Sequence, residues 1–237
     1  MVRTIAWYAC FWLMLIISTP CLLVVNRLSQ KGKIREGKQL VYRTASIWAG
    51  TLLKLAGARV SVIGVENVPA DRTVLFVSNH QGSFDIPLLL ACIEKPKAFI
   101  AKVELLKMPI INKWMKHMNC VFLDRKDMRQ SVRAINQAQE YLREGYSMVV
   151  FPEGTRSKGA IIGEFRAGSL RAAVKANVPI VPVTIKGSYK LLEQNGFWIK
   201  PADIEIVISK PIETSQLSKE QIMGLQEQTH SIIASQL

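Results

Sequence analysis

Two residues in this chain have the types and spacing for proton-transfer chemistry, His80 and Asp85, in the stretch Ser78-Asn79-His80-Gln81-Gly82-Ser83-Phe84-Asp85-Ile86-Pro87. Imidazole, with a pKa of about 6.5, can take a hydroxyl proton at neutral pH. A carboxylate on its other nitrogen fixes the tautomer and stabilises the imidazolium that forms. Plainer readings stand beside this one. An aspartate in a first helical turn also answers the helix dipole, and Ser83 serves either as a helix N-cap or as a nucleophile. The apolar run Thr73–Val77 predicts a buried strand leading into the histidine, and Ile86–Ile93 predicts a helix leading out. His80 and Asp85 therefore fall on a strand-to-helix turn, where open α/β sheets expose their working residues.

Two further stretches carry polar residues at strand ends, Asn119-Cys120-Val121-Phe122-Leu123-Asp124-Arg125 and Phe151-Pro152-Glu153-Gly154-Thr155-Arg156-Ser157, and a third, Ile180-Val181-Pro182-Val183, begins a strand. Taken singly, Arg125 and Arg156 read as solvated surface arginines. Pro182, inside a strand, needs an edge or a bulge. In this order, and with the histidine block, the four stretches resemble the glycerolipid acyltransferase family, in particular the 1-acyl-sn-glycerol-3-phosphate (lysophosphatidate) acyltransferases. The resemblance covers roughly Val60 to Ser209. One departure is visible: Asn119 stands where the second block usually opens with glycine, a mild change because asparagine tolerates left-handed backbone angles.

The resemblance implies that His80 is a general base and Asp85 its partner. It gives Arg125 to the acceptor's phosphate, and Glu153, Gly154, Thr155 and Arg156 to the shape of the acceptor site. Forked arginine–phosphate bonding and close backbone approach at glycine agree with those roles. Lys102, just past the predicted strand Ala98–Ala101, reads equally as an additional phosphate contact or as an ordinary surface lysine, and Val181-Pro182-Val183 is expected to pack near the acyl donor. The implied reaction is transfer of an acyl group from a thioester to the sn-2 hydroxyl of a lysophosphatidate, giving phosphatidate. The donor is acyl-CoA or acyl carrier protein, and another lysophospholipid or glycerol 3-phosphate is the alternative acceptor. A non-catalytic protein that binds anionic membranes is the rival from another class.

The elements that must position these residues are legible as alternating patterns. Strands are expected at Arg59–Ile63, Thr73–Ser78, Ala98–Ala101, Cys120–Leu123, Ser147–Phe151, Ile180–Ile185 and Ile204–Ser209. Helices are expected at Ile86–Ile93, Glu104–His117, Asp127–Glu144, Gly168–Lys175 and Lys219–Gln236. This alternation predicts an α/β domain over 57–237 with a mostly parallel central sheet flanked by helices. Ahead of it, Ile5–Val25 has no charged side chain and is about 30 Å long as a helix, enough to cross a hydrocarbon core, with Pro20 placed to kink the helix or end it early. Leu40–Ala56 carries an apolar stripe suited either to a core or to a membrane interface. Residues 1–56 thus read as a membrane-associated helical anchor, uncleaved because no small-x-small site surrounds Cys21. Arg27, Lys31, Lys33, Arg35, Lys38 and Arg43 follow the apolar run, which places the rest of the chain on the cytoplasmic side, at the inner membrane in a bacterium.

Composition narrows the partners. The chain of 237 residues is 49% hydrophobic with a net charge of +13. Its pI is about 9.8 and its mean hydropathy +0.16. Cations combined with an apolar terminus, and no aromatic-basic recognition motif, favour an anionic membrane over nucleic acid. Cys10, Cys21, Cys92 and Cys120 are scattered and read as free thiols of a reducing compartment. With His80, His117 and His230 they form no metal-ligand spacing, so no metal is expected, and no cofactor beyond the thioester co-substrate.

Overall fold

The computed structural model describes residues 1–124 and 126–237. Three helices open the chain: α1 (Val2–Ile17), α2 (Thr19–Gln30) and α3 (Ile34–Ala56). Then come β1 (Ala58–Ile63), β2 (Leu75–Ser78), α4 (Asp85–Cys92), β3 (Lys97–Lys102), α5 (Ile111–His117), β4 (Val121–Leu123), α6 (Met128–Arg143) and β5 (Ser147–Val150). The chain closes with α7 (Arg171–Ala176), β6 (Ile180–Lys186), β7 (Ala202–Ile208) and α8 (Lys219–Ala234).

All seven expected strands form, and they build one sheet in the order β1-β7-β6-β2-β5-β3-β4. The five strands from β6 to β4 run parallel, and β7 with β1 runs the other way. β2 and β5 are buried along their whole length, as expected of parallel strands with both faces covered. Edge strand β1 instead alternates half-buried and exposed residues.

Pro182 lies inside the sheet, paired with Val77 on one side. Its other side is where the β6–β7 ladder slips. Three steps along β6, from Ile180 to Val183, face four on the returning segment, from Ile208 to Ile212. The missing N–H of proline falls at that bulge, while its carbonyl accepts from the Ser209 amide at 2.9 Å.

Two expected helices are broken, each at a proline. The apolar run divides at Ser18, with Pro20 in the first turn of α2. The stretch expected as Glu104–His117 becomes a 3-10 turn at Val103–Lys107 followed by α5, with Pro109 between them and Ile110 in the left-handed region at φ 63°. Proline lacks the donor a helix interior needs and clashes with the preceding turn. Gly145 closes α6 with φ 91°, as its position suggests.

α3 packs on α4, with α1 and α2 lying along α3. Trp7, Ala49, Leu52 and Ala56 belong to the same hydrophobic cluster as Phe76, Phe84, Leu88 and Leu89. Both ends of α1 are tied to later parts of the chain. Thr4 Oγ1 accepts from the Ile199 amide at 3.0 Å, and Ser18 Oγ accepts from Trp114 Nε1 at 3.0 Å. By length and composition the combined run Val2–Gln30 suffices to cross a membrane, and only 17% of its most apolar window is buried in protein.

Candidate active site

The parallel strands β6, β2, β5, β3 and β4 end on one edge of the sheet, where His80 follows β2, Glu153 follows β5, Lys102 ends β3 and Asp124 follows β4. β2 delivers Asn79 and His80. Asn79 continues the sheet by side chain: its Nδ2 donates to the Ile185 carbonyl at 2.9 Å and its Oδ1 accepts from the Ile185 amide at 2.8 Å. Gln81 Oε1 accepts from the Gly187 amide at 2.8 Å. The Ser157 amide donates to the His80 carbonyl at 2.8 Å, and the Lys158 amide to the Gln81 carbonyl at 3.1 Å. The turn is thus stitched to β6 on one side and to the loop after β5 on the other.

His80 Nδ1 lies 2.7 Å from Asp85 Oδ2. The Asp85 carboxylate is fully buried at the first turn of α4, and also accepts from the Gly82 amide at 2.9 Å and from Ser188 Oγ. A carboxylate with this many donors is the acceptor of the Nδ1–H, so the imidazole presents Nε2 as its free lone pair. The His80 side chain is 16% exposed, and Phe151 stacks on the ring with centroids 4.0 Å apart. A base so held has one orientation.

Glu153 is buried, and both its oxygens meet backbone amides: His80 at 2.6 Å and Gly163 at 2.8 Å. Burial pushes its carboxyl above the usual range, an effect the two amides and the His80 ring partly offset. Gly154 has φ 72°, and a Cβ there would run into the Arg166 side chain, with Cδ at 2.8 Å. Thr155 is exposed. Arg156 turns toward the catalytic turn, where its guanidinium meets Ser83 Oγ and lies 3.4 Å from Glu193 Oε1.

Lys102 stands at the end of β3, its side chain 56% exposed and paired with Glu104 at 2.7 Å. It is two strands from β2, with β5 between. Arg125 lies outside the described residues. Asn119 adopts φ 60°, the left-handed geometry its glycine-like position requires.

A family model described as Acyltransferase matches residues 59–186. The chain belongs to the acyltransferase family. It is 42% identical over 158 residues to a protein of Mycoplasma pneumoniae named probable 1-acyl-sn-glycerol-3-phosphate acyltransferase, over 65% of this chain and 57% of that one. It is 30% identical over 185 residues to the 1-acyl-sn-glycerol-3-phosphate acyltransferase of Borreliella burgdorferi, over 78% of this chain and 72% of that one. The crystal structure of the 1-acyl-sn-glycerophosphate (LPA) acyltransferase PlsC from Thermotoga maritima superposes with a TM-score of 0.81 at 29% identity, covering 99% of this chain and 94% of that chain.

Two residues around this turn escape motif reading, and both lie just past the matched segment. Ser188 is the second side chain on Asp85. Glu193 is buried and accepts through Oε1 from the Ser83 amide at 2.7 Å and from Ser83 Oγ at 2.9 Å, while its Oε2 has no partner among the described residues. Gly82 is what admits it, because a Cβ at that position would come within 2.9 Å of the Glu193 carboxyl carbon. Ser83 therefore binds Glu193 and Arg156, and it makes no hydrogen bond to His80 among the described residues.

Proposed function

We propose that this acyltransferase-family protein moves an acyl group from a thioester to the sn-2 hydroxyl of 1-acyl-glycerol-3-phosphate, forming phosphatidate at a membrane surface. The observation that carries this reading is the His80–Asp85 contact with Nε2 left free, beside Arg156 on the same sheet edge. His80 Nε2 takes the proton of the acceptor hydroxyl as its oxygen attacks the thioester carbonyl. Asp85 holds the ring and stabilises the imidazolium. The thiolate leaves readily, since its thiol has a pKa of about 8.5. Arg156 and Arg125 bind the acceptor phosphate, Lys102 adds charge nearby, and Glu153, Gly154 and Thr155 set the backbone around it. Acyl-CoA and acyl carrier protein are both acidic donors suited to a basic surface.

The ties at both ends of α1 favour a helix pair lying in one leaflet, because a helix that crossed would carry one end away from the domain. α3, alongside it, bears Arg35, Glu36, Lys38, Arg43 and Lys54 and is unsuited to hydrocarbon. Those cations meet the anionic headgroups of the cytoplasmic leaflet.

The test is a transfer assay with labelled acyl-CoA or acyl carrier protein and an acceptor panel of lysophosphatidate, another lysophospholipid and glycerol 3-phosphate. Labelled phosphatidate from lysophosphatidate is the expected product. Product from a different acceptor alone would move the substrate assignment, and vesicle binding with no product from any acceptor would overturn the enzymatic reading.

A further inference from the structure

The segment joining β6 to β7 reaches two places at once. Inward, its Glu193 holds the Ser83 amide and hydroxyl in the catalytic turn. Outward, past Gly196 in a left-handed conformation, it ends in two aromatic residues facing solvent: Phe197 is 84% exposed and Trp198 44%. The next residue, Ile199, is buried and donates its amide to Thr4 in the first turn of α1. That turn exposes Val2 and Ile5, and Tyr8 follows one turn on. The aromatic tip thus continues the apolar surface of the amino-terminal helix. Lys200, two residues past Trp198, and Arg3, next to Thr4, are both exposed.

Aromatic rings flanked by cations suit the boundary between headgroups and acyl chains, where ring and charge are each in their preferred medium. Solvent-facing aromatics in continuity with a larger apolar face mark a docking surface. A bilayer is the occupant this composition fits, since a second protein copy would place the same cations against each other. We propose that Phe197 and Trp198 form a second bilayer contact, inserted in the same leaflet as α1, that fixes the depth of the catalytic turn. The segment's two attachments, Glu193 to the turn and Ile199 to α1, make depth and catalysis one mechanical unit. This inference rests on the reading of the acceptor as a membrane lipid.

The experiment compares the full-length protein with its F197S/W198S variant, and with Phe197→Trp, which keeps an interfacial ring. Co-sedimentation is measured with vesicles of phosphatidylcholine containing a minority of phosphatidylglycerol. Transfer is measured to a long-chain lysophosphatidate in those vesicles and to a short-chain, water-soluble one. The double serine variant should lose vesicle affinity and vesicle-acceptor kcat/KM by roughly tenfold, with the soluble acceptor unaffected and Phe197→Trp like wild type. Unchanged vesicle binding overturns the proposal, whether the variant is fully active, slow on both acceptors, or altered only in oligomeric state. If the wild type acylates neither acceptor, the acceptor reading fails, and the binding comparison still decides the membrane contact.

Discussion

The His80 turn and the Lys102 strand end share one edge of the sheet and are built on opposite plans. Around His80, a fully buried carboxylate, a stacked phenyl ring, backbone bonds to the loop after β5 and side-chain bonds from Asn79 and Gln81 to β6 leave the imidazole one pose. Lys102 is exposed, and its only ion pair among the described residues is with Glu104 two residues on. The contrast matches what the proposed function asks of each. Proton transfer requires donor and acceptor within hydrogen-bond reach and loses rate steeply with small displacements. Attraction of a phosphate acts over several ångströms through charge, and a mobile cation serves it well. Arg156 stands between the two plans, partly exposed yet bonded to the turn through Ser83.

Substitutions that keep shape or keep charge break this contrast in different places. His80→Ala should reduce transfer to background, about a thousandfold or more, in a labelled-acyl assay on protein whose melting is unchanged. Asp85→Asn, which keeps the shape, should still lower kcat by about two to four orders of magnitude because the amide presents the wrong partner to Nδ1. Arg156→Ala should raise acceptor KM about tenfold, Arg156→Lys much less, and kcat should follow neither closely. Lys102→Ala should change KM by less than about twofold, as befits an exposed charge. An effect at Lys102 as large as at Arg156 would mean that the two regions are not built differently after all.

A quieter prediction concerns the far end of α4, which carries Asp85 at its start. Lys97 Nζ donates to the Leu89 and Ile93 carbonyls at 2.9 and 2.8 Å, capping the helix from inside the core. Burial lowers its ammonium from the ordinary 10.5 to about 7. Between those values the unfolded chain holds a proton that the folded protein has released, so stability rises with pH across that window. The increase in Tm from neutral to alkaline pH should therefore be larger in the wild type than in Lys97→Met, as followed by circular dichroism.

The strands were legible because fully buried runs such as Leu75–Ser78 and Ser147–Val150 have no polar member before their last or first residue. The contact between His80 and Asp85 was legible because they sit five residues apart on one turn. Ser188 and Glu193 were not, since they reach the turn from 103 and 110 residues away, and nothing in local periodicity says which loop returns to which strand end. The breaks near Pro20 and Pro109 had a visible cause in proline chemistry, although apolar periodicity ran through both. Lys97 opens β3 one residue ahead of the expected strand Ala98–Ala101, and its burial depends on layers that close over it from distant parts of the chain.

The central claim is that His80 acts on the acceptor hydroxyl itself, with no acyl group parked on the protein. Ser83 is bonded to Glu193 and Arg156 rather than to the base, which fits that claim. Rapid mixing of the enzyme with labelled acyl thioester in the absence of acceptor tests it most directly. Direct transfer predicts no burst of free thiol and no label on the protein until lysophosphatidate is added, after which thiol and phosphatidate appear together. A stoichiometric thiol burst with label retained on Ser83 would contradict it.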